Sequence, residues 1–259
     1  MAALPEIRVA DLHRYPVKGL SPERLEAATL ETSGFFPGDR LYAVENGPSG
    51  FNEVAPRHRP KVAYLMLMRD EALARLRTRY DDASTTLRVE LDGGEAVRAD
   101  LSTSEGRAGL EAFLSAYLPH ALRGPPRVLT APPGYRFTDS PTGYVSLINL
   151  ASVRAIEDMA GAPVDPLRFR GNIALDGLAP WAEFELLGGV LESPDGARLK
   201  VTARTQRCAA TNVDPQTGAR DLAIPRTIDD ALGHMDCGVY AEIIAGGTLR
   251  SGDALTRVG

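Results

Sequence analysis

Arg204-Thr205-Gln206-Arg207-Cys208-Ala209-Ala210-Thr211-Asn212-Val213-Asp214-Pro215-Gln216-Thr217-Gly218 is the stretch from which fold and chemistry are both read. Val201-Thr202-Ala203 leads into it with strand-forming residues. Asp214-Pro215-Gln216-Thr217-Gly218 leaves it through a turn that carries both Pro and Gly. Cys208 therefore lies on a strand or just past its end, with Arg204 and Arg207 close by. It is one of two cysteines in the 259-residue chain. A guanidinium beside a thiol favours the thiolate, the form that binds metals and attacks electrophiles. Taken alone, such a cysteine is a core residue more often than a functional one; the charged clusters elsewhere shift the balance.

Working outward, the chain reads mostly as short β-type runs: Ile7 to Tyr15, Ala27 to Leu30, Arg40 to Val44 and Val62 to Met68, separated by Pro and Gly clusters. Thr85 to Leu91, then Asp92-Gly93-Gly94, then Ala96 to Leu101 is a hairpin signal. Three segments read as helices. Asp70 to Arg79 is rich in Ala, Leu and Arg. Ser104 to Tyr117 follows a Ser102-x-x-Glu105 capping box and sets Leu110, Phe113, Leu114 and Tyr117 along one face. Leu150 to Ala160 ends at Gly161. Arg123-Gly124-Pro125-Pro126 and Ala131-Pro132-Pro133-Gly134 break the chain near its middle, which places a division after residue 122. Many short strands with few helices predict a barrel or sandwich with helical decoration.

Composition narrows the function classes. Hydrophobic residues at 44% and charged residues at 24% are ordinary for a globular protein. A net charge of −5 argues against a general nucleic-acid binder, whose phosphate contacts need a basic face. The N-terminal residues lack a basic segment followed by an apolar one, and no apolar run reaches membrane-spanning length. Two cysteines make no disulfide framework, so the expectation is a cytoplasmic protein with free thiols and no membrane span.

Several polar clusters stand where packing alone would favour apolar residues. Tyr15-Pro16-Val17-Lys18-Gly19 ends the first run with a lysine at a turn, and Gly38-Asp39-Arg40 opens another with an arginine. Arg168-Phe169-Arg170-Gly171-Asn172 carries arginines at i and i+2, one face of an extended segment. Each alone reads as a solvated charge, with Glu23 and Asp39 as ready partners for Lys18 and Arg40. Together, cations around a thiolate make a site for an anionic cofactor with a soft metal, because Arg forks match phosphate and sulfur suits molybdenum-, copper- or zinc-type centres. The other candidates are weaker. The four histidines are scattered without ligand-like spacing. No G-x-G-x-x-G follows a strand, Gly188-Gly189 reads as a hairpin turn, and Ser146 and Ser152 lack a nucleophile elbow. Cys237 reads as packing and Trp181 as a core or rim aromatic.

This set of clusters resembles the MOSC family. Tyr15-Pro16-Val17-Lys18 followed by Gly38-Asp39-Arg40 is similar to the MOSC N-terminal β-barrel domain. Phe137-x-Asp139, Arg168-Phe169-Arg170-x-Asn172, the Cys208-x-x-Thr211-x-Val213-Asp214-Pro215-x-Thr217-Gly218 segment and Gly246-Gly247-Thr248-Leu249-x-x-Gly252-Asp253 are similar to the MOSC domain itself. The resemblance implies a β-rich α+β fold: an N-terminal β-barrel-like domain over residues 6–122, a MOSC β-barrel over 123–259, and a few peripheral helices. It also implies molybdenum cofactor. In relatives of the amidoxime-reducing type, N-hydroxylated or N-oxide compounds are reduced by oxygen-atom transfer at a cysteine-ligated molybdenum. By position, Cys208 would be the thiolate ligand with Arg207 beside it. Lys18, Arg40 and Arg170 would hold the pterin phosphate and ring, and Asn172, Asp139 and Ser140 its polar edge. Two departures stand out. Relatives commonly have serine where this chain has Gly19, and the chain has no cysteines for an iron–sulfur cluster. Electrons would then come from a separate flavoprotein reductase, ferredoxin or cytochrome-type donor. An alternative keeps the fold but not the turnover: a cofactor carrier, or a sulfur carrier with a persulfide on Cys208.

Overall fold

Ile7, Val9 and Leu12 are the apolar residues that the first strand buries, although strict alternation would not turn position 12 inward. A β-bulge between Val9 and Asp11 resets the phase and keeps Leu12 inside. The computed structural model describes residues 6–140, 142 and 145–258. Among these residues the strands are β1 (Ile7–Arg14), β2 (Glu23–Leu25), β3 (Ala27–Leu30), β4 (Tyr42–Asn46), β5 (Arg77–Asp81), β6 (Thr86–Leu91), β7 (Gly94–Asp100), β8 (Pro126–Thr130), β9 (Val145–Asn149), β10 (Ile173–Asp176), β11 (Val190–Glu192), β12 (Arg198–Gln206), β13 (Asp236–Ala245), β14 (Gly247–Arg250) and β15 (Ala254–Val258). The helices are α1 (Ser104–Tyr117), α2 (Leu150–Ala160) and α3 (Ile224–Leu232).

The fold is β-rich α+β. Strands run in the order β10-β9-β13-β12-β11-β15-β1, and β1 pairs back onto β10, closing a seven-stranded barrel with β2 on its flank. Closure leaves those strands no open edge. Its interior is aliphatic: Val9, Leu147, Leu175, Val201, Val239 and Leu255 are all buried in one cluster. A second core gathers Leu73, Leu76, Leu87, Leu101, Leu110 and Leu114 between α1 and the meander β5-β6-β7. Pairing crosses the expected division after residue 122 in both directions. β1 and β3 join the C-terminal strands β10, β15 and β14, whereas β8 pairs with β4. This interleaving brings loops of both halves to one place. No helix among the described residues is long and apolar enough to cross a membrane.

Local expectations fared unevenly. The hairpin is present as β6 and β7, with Asp92 (φ 52°) and Gly93 (φ 84°) at the left-handed turn positions. The helix expected over Asp70 to Arg79 is instead a 3-10 turn, Glu71–Arg75, followed by β5. Thr78 and Tyr80 favour extended backbone and pair with Val89 and Leu87, so tertiary pairing overrides the Ala/Leu composition. The run Val62 to Met68 is a 3-10 turn, Lys61–Ala63, then a single bridge from Tyr64 to Glu45. The cap of α1 is Thr103, whose Oγ1 accepts from Gly106 N at 3.0 Å. Ser102 bonds Asp100 instead.

Candidate functional site

A cavity of about 200 Å³ gathers residues from both halves of the chain. Lys18, Arg40, Asp139 and Ser140 line it from one side of the sequence division or just past it, and Arg170, Asn172, Arg207 and Cys208 from well beyond. Six Lys or Arg side chains face it against two carboxylates, Asp39 and Asp139.

Lys18 sits on the turn after β1, its backbone N–H donating to Tyr42 O at 2.8 Å. Next to it, Gly19 has φ 85°, and a Cβ there would lie 2.9 Å from Leu65 O. The backbone therefore favours glycine where relatives commonly carry serine. The Lys18 ammonium is buried and donates to Phe137 O at 2.9 Å and to Asp139. Burial pulls its pKa below the usual lysine value, Arg40 and Arg170 add to that, and Asp139 opposes it. Glu23 is not its partner; Arg14 Nε holds Glu23 at 2.8 Å. Burial alone would raise the Asp139 carboxyl, but Lys18, Lys61 and Arg40 hold it down to about 2. Its side chain keeps 52% of its surface open because it faces the cavity. Ser140 Oγ pairs with Thr142 Oγ1 at 2.6 Å.

Arg40 does pair with Asp39, its Nη1 reaching both oxygens at 2.5 and 2.6 Å. Arg168 and Arg170, expected on one face of an extended segment, both line the cavity, but the segment is not extended. Asp165 caps a 3-10 turn, Pro166–Phe169, and Arg170 follows in the left-handed region at φ 53°. Arg168 turns to Asp221, Asp214 and the carbonyls of Thr211 and Asn212. Arg170 Nη1 donates to Leu20 O at 2.8 Å, and its Nη2 is buried without a partner. Burial, with Arg40 nearby, draws this guanidinium down to about 10. Asn172 is a strut: its Oδ1 accepts from Ser146 N at 3.1 Å and its Nδ2 donates to His13 O at 3.2 Å.

Cys208 lies just past β12, half-buried, at the head of the 3-10 turn Ala209–Asn212. Its carbonyl accepts from Thr211 N at 3.0 Å and Thr211 Oγ1 at 2.9 Å. Arg207 is buried and holds Cys237 O at 2.7 Å and Phe169 O at 2.8 Å, leaving Nη2 without a partner. Cys237 has no arginine near it in sequence, but the fold supplies Arg207. Its thiol is still pushed up to about 12 by burial, the nearby Arg207 pulling the other way.

One charged cavity residue escaped the sequence reading. Lys61 lines the cavity together with Cys208 and Asp139. Burial alone would lower its pKa, yet Cys208 and Asp139 raise it. Pro60-Lys61-Val62 carries no motif, so nothing in the sequence could have singled it out. Tyr240 of β13 also lines the cavity. The whole is a cationic, donor-rich pocket around one thiol, suited to an anion with a polar edge and to a soft metal.

A family model for the MOSC domain matches residues 134–256, and one for the MOSC N-terminal beta barrel domain matches residues 6–116. No curated protein sequence matches the chain significantly. Among solved structures, the YuaD protein from Bacillus subtilis is similar over 96% of this chain and 94% of that one, at 12% identity and a TM-score of 0.46. YiiM from Geobacillus stearothermophilus is similar over 44% of this chain and 54% of that one, at 21% identity and a TM-score of 0.35.

Proposed function

The chain belongs to the MOSC family, with a MOSC domain behind a MOSC N-terminal β-barrel domain, and from that premise we propose that it is a molybdenum-cofactor-dependent oxidoreductase acting on N-hydroxylated or N-oxide compounds. One observation carries the reading: a single cavity joins Cys208 to Arg170 and Arg207, each with a buried Nη2 that lacks an acceptor among the described residues.

The donor set fits the group. Arg170 Nη2, Arg207 Nη2 and Thr205 Oγ1 are buried and unpaired, and all three residues line the cavity. A buried donor left without an acceptor costs about 1–3 kcal/mol, a deficit that phosphate and pterin acceptors would offset. Lys18, Arg40 and Arg170 would hold the phosphate and ring, and Asp139 and Ser140 would meet the polar edge. Asn172 would act by fixing the strands behind them. Cys208 would be the protein's ligand to the metal, its backbone fixed by Thr211 and its side chain flanked by Lys61. When bound, molybdenum cofactor supplies a two-electron centre able to take the oxygen of an N–OH or N-oxide group. Arg207, its guanidinium held by Phe169 O and Cys237 O, would flank the metal beside Cys208. Electrons would arrive from a separate flavoprotein, ferredoxin or cytochrome-type donor.

Protein made in a cofactor-competent host, assayed for molybdenum and pterin, tests the reading. The expected result is stoichiometric molybdenum, turnover of an N-hydroxy test compound with reduced viologen, and none with NADH alone. Metal-loaded protein without turnover would favour a carrier, and metal-free protein would overturn the proposal.

A further inference from the structure

Tyr15 directly follows β1 and is fully buried, 0% exposed. The guanidinium carbons of Arg40 and Arg170 lie 4.4 and 4.2 Å from the centroid of its ring. Two like charges thus share one aromatic ring. Arg40 is answered by Asp39, but among the described residues Arg170 pairs with no carboxylate and keeps Nη2 unpaired. Both arginines hold left-handed backbone, φ 48° and 53°, a region that non-glycine residues avoid and that concentrates at functional sites. The backbone converges on the same residue. Tyr15 N donates to Asp39 Oδ1 at 2.8 Å, Arg40 N donates to Tyr15 O at 2.8 Å, and Arg40 Nη2 donates to Arg170 O at 3.2 Å. By contrast the phenol makes only a long contact, 3.4 Å, to Gly171 O. The ring, rather than the hydroxyl, is therefore what meets the two cations.

We propose that Tyr15 is a positioning residue whose ring holds the Arg40 and Arg170 guanidiniums together so that both can grip one phosphate-type anion. Left alone, two guanidiniums repel; the negative faces of an aromatic ring offset that repulsion while leaving their N–H groups for an acceptor. This deepens the anchoring role given to Arg40 and Arg170 above and rests on it.

The test uses cofactor-free full-length protein and inorganic phosphate at low ionic strength, followed by titration calorimetry, with thermal melting alongside. Wild type is expected to bind phosphate, and Tyr15→Phe, which keeps the ring, to bind within about twofold of it. Tyr15→Leu is expected to bind at least about tenfold more weakly. Leu114→Ala, a buried change in the other core, is expected to melt earlier yet bind phosphate as wild type does. Should Tyr15→Leu fail to fold, pentafluorophenylalanine at position 15 keeps the ring's shape and reverses its quadrupole, and is expected to weaken binding as well. Wild-type affinity in a folded Tyr15→Leu or in the fluorinated variant would overturn the role of Tyr15 alone. Absence of phosphate binding in wild type would instead remove the anchoring role of Arg40 and Arg170, and this inference with it.

Discussion

Arg168→Met tests whether the cavity depends on a clamp behind Cys208. The Arg168 side chain is 1% exposed and its fork meets both Asp221 oxygens at 2.8 Å, with Asp214 Oδ2 at 3.2 Å. It also donates to Asn212 O at 3.2 Å and Thr211 O at 3.5 Å. Breaking a fully buried ion pair costs about 3–5 kcal/mol, because a charge is left stranded. Here the carboxylates left behind can rehydrate, since the Asp221 and Asp214 side chains are 44% and 22% exposed. The two carbonyl contacts are long and add little. Methionine also keeps most of the buried stem volume. The expected loss is therefore about 2–3 kcal/mol, the range for charge-assisted bonds rather than for a stranded charge. Urea unfolding followed by the fluorescence of Trp181, the single tryptophan, would read it. Because Thr211, Asn212 and Asp214 follow Cys208 directly, molybdenum content should fall in parallel. Arg168→Lys should recover only part of both, since an ammonium cannot fork two carboxylates. A shift below about 1 kcal/mol with unchanged molybdenum would refute the reasoning.

The two thiols should separate cleanly. In cofactor-free protein a brief alkylation is expected to modify half-buried Cys208 and spare Cys237, whose thiol burial pushes up to about 12. Cys208→Ser should fold but lose molybdenum, whereas Cys237→Ser should keep it and lose about 1–3 kcal/mol of stability; the reverse pattern would sink the assignment. The Asp139 carboxyl is held near 2, below its unfolded value, so its contribution to stability is complete above about pH 4 and lost as pH falls through 2. The melting temperature of Asp139→Asn should accordingly fall less steeply between those limits than that of wild type, and parallel slopes would contradict the Lys18–Asp139 pairing.

What could be read from residues alone was local. The hairpin was legible because Asp92-Gly93-Gly94 takes its turn from backbone preference, whatever surrounds it. The Cys208 segment, the lysine at Lys18 and the arginines at Arg40 and Arg170 were legible because residue type and order suffice to mark them. Local composition misled at Asp70 to Arg79, where pairing with β6 outweighed helix propensity. The extended reading of Arg168 to Arg170 failed because a capped 3-10 turn occupies the segment, although both arginines still line the cavity.

By itself, then, the sequence determined the β-rich class and marked the cysteine and the charged residues of the cavity other than Lys61. Only the tertiary structure decided which of them touch. Barrel closure joins β1 to β10 and β15 across most of the chain, and that closure carries Lys18 and Tyr15 to the loops of Arg170 and Cys208. The fold also brings Lys61 to the cavity of Cys208, a placement without any local signature. Strand and turn preferences act between near neighbours in sequence, whereas the charges of this site are made neighbours by the burial of apolar faces far apart in the chain.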